Sequence, residues 1–269
     1  MIRSPAVAGQ FYVSDPTALT SNLQELVPTV PEAEKIAALA IISPHAGYMY
    51  SGKVAGETFA KVIIPQDVLI LGPNHHAKGS PLALMAKGEW DMPLGRVPIN
   101  EELGALLLEE SKQIEEDDQA HRLEHSLEVQ VPFLQFLRPD VTISPLMVAR
   151  GTYDVCKTLG TAIARAIKRY GKPVLIVASS DMTHYEPRQS ATTKDRLALT
   201  KIDALDPEGL YKIVVNNRIS MCGIMPTTVA LVAALALGAT EAELIRYTDS
   251  GEASGDTRQV VGYAGVVVY

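Results

Sequence analysis

Six histidines are spread over 269 residues, and four of them stand in polar clusters that directly follow apolar runs. His45 lies in SPHAGYMYSG, after Ala38–Ser43, with Tyr48 and Tyr50 close behind. His75 and His76 lie side by side in GPNHH, after Val68–Leu71. His184 lies in SSDMTHY, after Val174–Ala178 and three residues beyond Asp181. An imidazole titrates near neutrality, and its neutral form is a common metal ligand, so such clusters can move protons or bind a divalent ion. Adjacent residues of an extended segment point in opposite directions, so one ion is not expected to take both His75 and His76.

The other two histidines, His121 and His125, are four apart in AHRLEHSLEVQV, as are Glu124 and Glu128. A helix through this segment would give each pair one face. His121 reads as a surface residue; His125 fits a site and a surface equally well. Cys222 immediately precedes Gly223 in SMCGIMPTT, ahead of a helix opened by Pro226. The field of a helix N-terminus favours thiolate, the form that binds metals or attacks electrophiles. Cys156 sits in an apolar helical stripe and reads as an inert core thiol. Imidazoles with a carboxylate and a thiol suit non-haem iron(II) and oxygen chemistry, or zinc(II) activating water. The same inventory also describes polar loop residues that merely satisfy one another.

The elements that must position these residues are legible from patterning. Short β-rich runs occur at Ala38–Ser43, Val68–Leu71, Thr142–Val148, Val174–Ala178, Leu244–Tyr247 and Gly262–Tyr269. Most are continuous rather than alternating, as expected of strands covered on both faces. Asp15-Pro16 and Asp206-Pro207 each place an N-cap before a proline in the first turn, and Asn100-Glu101-Glu102 marks another helix start. Val155, Leu159, Ile163 and Ile167 form one apolar helical face that ends before Gly171. DSGEASGD, residues 249–256, reads as a surface connection, with a lid over a site as the alternative. The expectation is one domain over 1–269: a three-layer α/β/α sandwich with a largely parallel or mixed central sheet. In such sheets ligands bind at the carboxyl ends of strands, where His45, His75, Asp181 and His184 fall.

Several motifs, taken in order, resemble the Memo family: PHAGYMYSG, LGPNHH, EHSLEVQVPFL, SSDMTHY and MCGIMP. Prokaryotic members of that family are called AmmeMemoRadiSam system protein B. AVAGQFY near the start and SGEASGD with VVGYAG near the end extend the resemblance over essentially the whole chain. It implies a fold similar to LigB-type class III extradiol dioxygenases, which hold non-haem iron(II) with two histidines and a glutamate. By motif, it implies His45, His75 and Cys222 as ligands of iron or copper, with Cys222 in the carboxylate's place. A thiolate moves the metal preference toward copper. Asp181 and His184 would stand beside the metal, His184 as acid/base and Asp181 orienting it or serving as a further ligand. Beyond the resemblance, Tyr48, Tyr50 and His125 are candidates for lining the substrate pocket, with ordinary packing or a place on the rim as the equal alternative for each tyrosine. His76 is expected to face the cleft wall or substrate, or to hydrogen-bond a neighbouring loop.

The expected function is a mononuclear iron or copper redox protein with a dioxygenase-like site and an unknown small-molecule or protein substrate. A peptide- or partner-binding module in the same cleft and a zinc-dependent hydrolase are the alternatives. The family's vertebrate branch is linked to phosphotyrosine-receptor signalling, which suggests peptide binding. Its prokaryotic name implies work beside a radical SAM protein and an Ammecr-type protein. A net charge of −7 with scattered Lys and Arg argues against nucleic-acid or anionic-membrane binding. The longest apolar stretch, Val229–Leu237, is far short of the ~20 residues of a spanning helix. The N-terminal residues offer no signal-peptide run, and two cysteines are too few for a disulfide framework, so a cytoplasmic setting is expected.

Overall fold

The computed structural model describes residues 1–269. The chain begins with β1 (Ile2–Arg3), α1 (Pro16–Leu26), β2 (Ala40–Ser43), α2 (Tyr48–Ala60), β3 (Asp67–Gly72) and β4 (Leu82–Leu84). A hairpin, β5 (Glu89–Met92) and β6 (Gly95–Pro98), leads to α3 (Glu101–Glu110), β7 (Glu115–Glu116), α4 (Val131–Leu137) and β8 (Thr142–Val148). Then come α5 (Tyr153–Tyr170), β9 (Val174–Ser179), β10 (His184–Glu186), α6 (Arg188–Asp203) and α7 (Pro207–Asn216). The last elements are α8 (Ile224–Leu237), β11 (Ala242–Asp249), α9 (Gly251–Ser254) and β12 (Val260–Val268).

Nine strands form a mixed sheet in the order β10-β12-β2-β9-β3-β8-β4-β7, with β11 paired to β12. Its centre, β2, β9, β3 and β8, is parallel, while β12 and β4 run antiparallel on either side. Alternate residues of each central strand feed different cores. Ile41, Val68, Ile70, Leu175 and Val177 pack toward α1, α2 and α4. Ala40, Ile42, Leu69, Leu71, Ile176 and Ala178 pack toward α3, α5 and α8. Burial on both faces explains the continuous apolar runs and yields the expected three-layer α/β/α arrangement with a mixed sheet.

All six expected strands enter this sheet, and the expected caps hold: Asp15, Asn100 and Asp206 accept hydrogen bonds at the starts of α1, α3 and α7. The patterning did not mark β1, β5 and β6, which form a separate three-stranded sheet. These strands are two to four residues long and mix charged with apolar side chains, so no period develops. A second difference matters for the site. AHRLEHSLEVQV is not one helix but two 3₁₀ turns, Gln119–His121 and Glu128–Gln130, separated by irregular backbone. The Glu124 carboxylate bonds the backbone N–H groups of His125 and Ser126 and so competes with helical pairing. DSGEASGD contributes the short α9, with Gly255 in the left-handed region after it.

Candidate metal centre

Three neighbouring parallel strands aim their carboxyl ends at one place. His45 follows β2, His75 follows β3, and Asp181 follows β9, which lies between them. Two glycines admit the remaining parts. A side chain at Gly72 would collide with Leu127 and Ser126, so this glycine lets the Glu124–Glu128 segment lie against the end of β3. A side chain at Gly223 would collide with Ser180 and the Ser179 carbonyl, so the start of α8 can sit beneath β9 with Cys222 against the site.

His45 is buried, and its tautomer follows from its partners. The Ser179 hydroxyl donates its single proton to the Ser126 carbonyl at 2.6 Å and accepts from Gln130 Nε2 at 2.8 Å. It can therefore only accept from His45 Nδ1, 2.9 Å away, leaving Nε2 with a free lone pair. Burial, with the nearby His75, pushes the His45 pKa down to about 3 and keeps the ring neutral. His75 is oriented by a carboxylate: its Nδ1 lies 2.8 Å from Glu124 Oε1, and its backbone N–H donates to Oε2 at 2.6 Å. Burial lowers the His75 pKa, but the hydrogen bond and charge of Glu124 outweigh it and raise it overall. Nδ1 is the donor here too, so Nε2 is again the nitrogen left for a metal.

His125 completes the group. Its ring stacks on His75 with centroids 4.6 Å apart, and Phe11 covers its other side at 4.8 Å. Burial first, then His45, lowers its pKa to about 4. One ring nitrogen from each of His45, His75 and His125 lies within 4.8 Å of the others, a spacing that could hold a metal ion. His76, Glu124 and His125 are spaced as closely, but Glu124 is already engaged by four N–H donors, three on Oε1 and one on Oε2, in orienting His75 and its own segment.

Cys222 stands beside this set rather than within it. Its Sγ is 3.2 Å from His45 Nε2 and accepts the Asp181 N–H at 3.3 Å. The helix start was expected to favour thiolate. Instead, burial and the charge of Asp181 push the Cys222 thiol well up, so the metal-free cysteine is neutral, with the His45 Nε2 and the Asp181 carbonyl both within reach of its S–H. Asp181 is buried and accepts the His45 backbone N–H at 2.7 Å, with burial raising its own pKa. His184 Nδ1 donates to the Ser220 carbonyl at 2.8 Å, which frees Nε2. His45, His75, His125, Asp181 and His184 line a cleft of about 590 Å³, with Tyr50, Tyr185 and Tyr263 on its walls and Ser250 and Ser254, from the DSGEASGD segment, among its lining. Cys222 lies behind His45 and is not part of that lining.

Two residues expected in the pocket stand elsewhere. Tyr48 is buried with its hydroxyl on the Val129 carbonyl at 2.7 Å, and it lines a neighbouring cavity rather than this cleft. His76 is exposed, its backbone N–H held by Asn74. Nor is His121 a surface residue: it is fully buried, Nε2 donates to the Ala83 carbonyl at 3.0 Å, and the ring edges onto Trp90.

The family profile described as Memo-like protein matches residues 3–267. The chain belongs to the Memo family. A MEMO1 family protein of Pyrobaculum aerophilum is 41% identical, over 100% of this chain and 99% of that one. One from Methanothermobacter thermautotrophicus is 40% identical over 98% and 99%, and one from Aquifex aeolicus is 40% identical over 99% and 98%. The crystal structure of uncharacterized protein JW3007 from Escherichia coli K12 has the same fold, with a TM-score of 0.59 at 14% identity. The match spans 86% of this chain and 99% of that one.

Sequence reasoning missed the supports of this Memo site. Glu124, fully buried, reads in the sequence only as one of several helix-spaced His and Glu residues that could bind a metal, orient a ligand or face solvent, with nothing to pair it with His75. Burial alone would raise its pKa, but the His75 N–H and charge and the backbone donors hold it well below the carboxylate range. Glu128 binds the N-terminal arm, accepting from Ala6 N, Val7 N and the Tyr12 hydroxyl and pairing with Arg3 at 2.8 Å. Arg3 in turn donates to the carbonyls of His121 and Glu124 and covers the Trp90 ring at 4.1 Å. A charged residue recurring in an otherwise apolar segment, EHSLEVQVPFL, was the one available signal.

Proposed function

We propose that this Memo chain holds one redox-active ion, iron(II) or copper, on His45 Nε2 and His75 Nε2, with His125 or Cys222 as the third donor. The observation that carries this reading is the pair of tautomers: Ser179 and Glu124 each occupy Nδ1 and leave both Nε2 lone pairs for a cation. Such an ion supplies one-electron chemistry with oxygen and a Lewis-acidic anchor for substrate. The chain's own groups do the rest. His184, fixed through Nδ1 on Ser220, presents Nε2 as proton acceptor and later donor. Asp181 fixes the His45 backbone and gives the cleft its one carboxylate. Phe11, Tyr50 and Tyr263 give the cleft apolar surface beside the ring nitrogens.

Elemental analysis after anaerobic, chelator-free purification tests this reading. Iron or copper near one per chain, lost in the His45→Ala and His75→Ala proteins, supports it. Zinc alone turns the reading to metal-assisted hydrolysis, and no metal turns it to a partner-binding module.

A further inference from the structure

A second cavity of about 540 Å³ adjoins the metal cleft. The two are separate by shape but share three residues of wall, Phe11, Gly47 and Tyr50. Their chemistry differs sharply. The metal cleft carries four imidazoles and the Asp181 carboxylate among its aromatic walls, whereas the second cavity has no charged side chain and is lined by Tyr12, Val13, Tyr48 and Met49 beside the amides of Gln10 and Asn22. Its mouth carries large apolar side chains in water: Met49 is 73% exposed and Val13 38%. Solvated apolar groups clustered at the lip of a cavity mark a surface that a ligand covers.

Both walls of the second cavity are tied to the body of the protein. One wall is the N-terminal arm, Gly9–Val13. The arm is tied to the body by the Tyr12 hydroxyl on Glu128 at 2.7 Å and by the Tyr48 N–H on the Phe11 carbonyl at 2.8 Å. The opposite wall is the first turn of α2, which follows directly from His45. A ligand bound at the metal therefore meets a preformed apolar extension, at little ordering cost.

We propose that the two cavities form one two-chambered site for a small amphipathic molecule, whose oxygen-donor head reaches the metal and whose apolar tail lies over Phe11. This inference rests on the metal reading above and adds the substrate class to it. The polar chamber alone would accept any small chelating acid; the apolar chamber selects among them by the tail.

Calorimetry on the copper(II)-loaded protein tests it, with acetohydroxamate and octanohydroxamate as probes that share one head. Elemental analysis before and after titration checks that the metal stays bound. The expected result is octanohydroxamate binding at least tenfold tighter than acetohydroxamate. Asn22→Trp, which fills the second chamber from α1, should abolish that advantage while leaving metal content and acetohydroxamate affinity unchanged. Val13→Trp fills the same chamber from the arm and serves where the first variant melts early. Metal absent before any probe is added overturns the metal reading and this inference with it. Metal retained with equal affinity for the two probes, or a tail advantage surviving in both folded variants, overturns this inference alone.

Discussion

Among individual side chains, the distinction that matters is between a nitrogen that binds and a group that aims it. His75 offers Nε2 because Glu124 occupies Nδ1, whereas the adjacent His76 is exposed. His75→Ala should abolish tight metal binding, and His76→Ala should leave it within a few-fold of the parent. Glu124→Gln should cost roughly 10–100-fold in affinity, as loss of an orienting carboxylate does elsewhere. Metal titration by calorimetry on the three variants checks the order; a Glu124→Gln protein with parental affinity contradicts the aiming role. The third donor should depend on the metal. Copper(I) prefers a soft thiolate, while iron(II) accepts a third imidazole. Cys222→Ser is thus expected to weaken copper(I) more than iron(II), and His125→Ala to do the reverse. Equal losses in all four combinations would remove this division of labour.

At the level of elements, the site depends on a strand of two residues. Through Arg3, β1 holds the irregular segment that carries Glu124 and His125, and the guanidinium balances the buried Glu128 carboxylate. Removing one partner of a buried pair leaves the other charged in a poor solvent, which typically costs about 3–5 kcal/mol. Arg3→Met should therefore lower unfolding stability by about that amount in urea titrations, although Arg3 touches neither metal nor cleft. It should also weaken metal binding, because His125 and Glu124 lose their fixed backbone. A variant with parental stability would mean that the N-terminal arm is an ornament to the fold rather than a support.

For the whole molecule, the buried imidazoles set the acid limit. His45 is pushed down to about 3, and His121 and His125 to about 4, in each case chiefly by burial. In the unfolded chain each titrates near ~6.5. Below that value the unfolded state binds more protons than the folded one. The stability these three rings contribute is thus fully present above about pH 6.5 and declines as pH falls toward 4 and then 3, while His75, whose pKa is raised, contributes in the opposite sense. Glu124, held below its unfolded value, adds a loss in the same direction at lower pH. The metal-stripped protein should lose on the order of 2 kcal/mol per buried histidine between pH 7 and 4.5, read from urea midpoints at each pH. A flat profile across that interval contradicts the neutral, buried state of these rings. No helix is long and apolar enough to cross a membrane, which matches the short Val229–Leu237 run.

Local order was legible in the residues themselves. Continuous apolar runs required strands covered on both faces, and Asp-Pro, Asn-Glu-Glu and the Ile167-to-Gly171 boundary placed helix ends to within a residue or two. Parallel strands then had to deliver His45, His75 and Asp181 to one edge, because connections between such strands leave their carboxyl ends on the same side. What only the tertiary structure decided is which groups meet there. His75 finds its orienting carboxylate 49 residues away, in a segment whose spacing suggested a helix and whose own side chains prevented one. His121 and His125 look alike in sequence, yet one is packed under Trp90 and the other faces the cleft. Periodicity reports which face of an element is buried. It carries no information on the distance between side chains brought together by packing across the sheet, and a metal centre is defined by those distances.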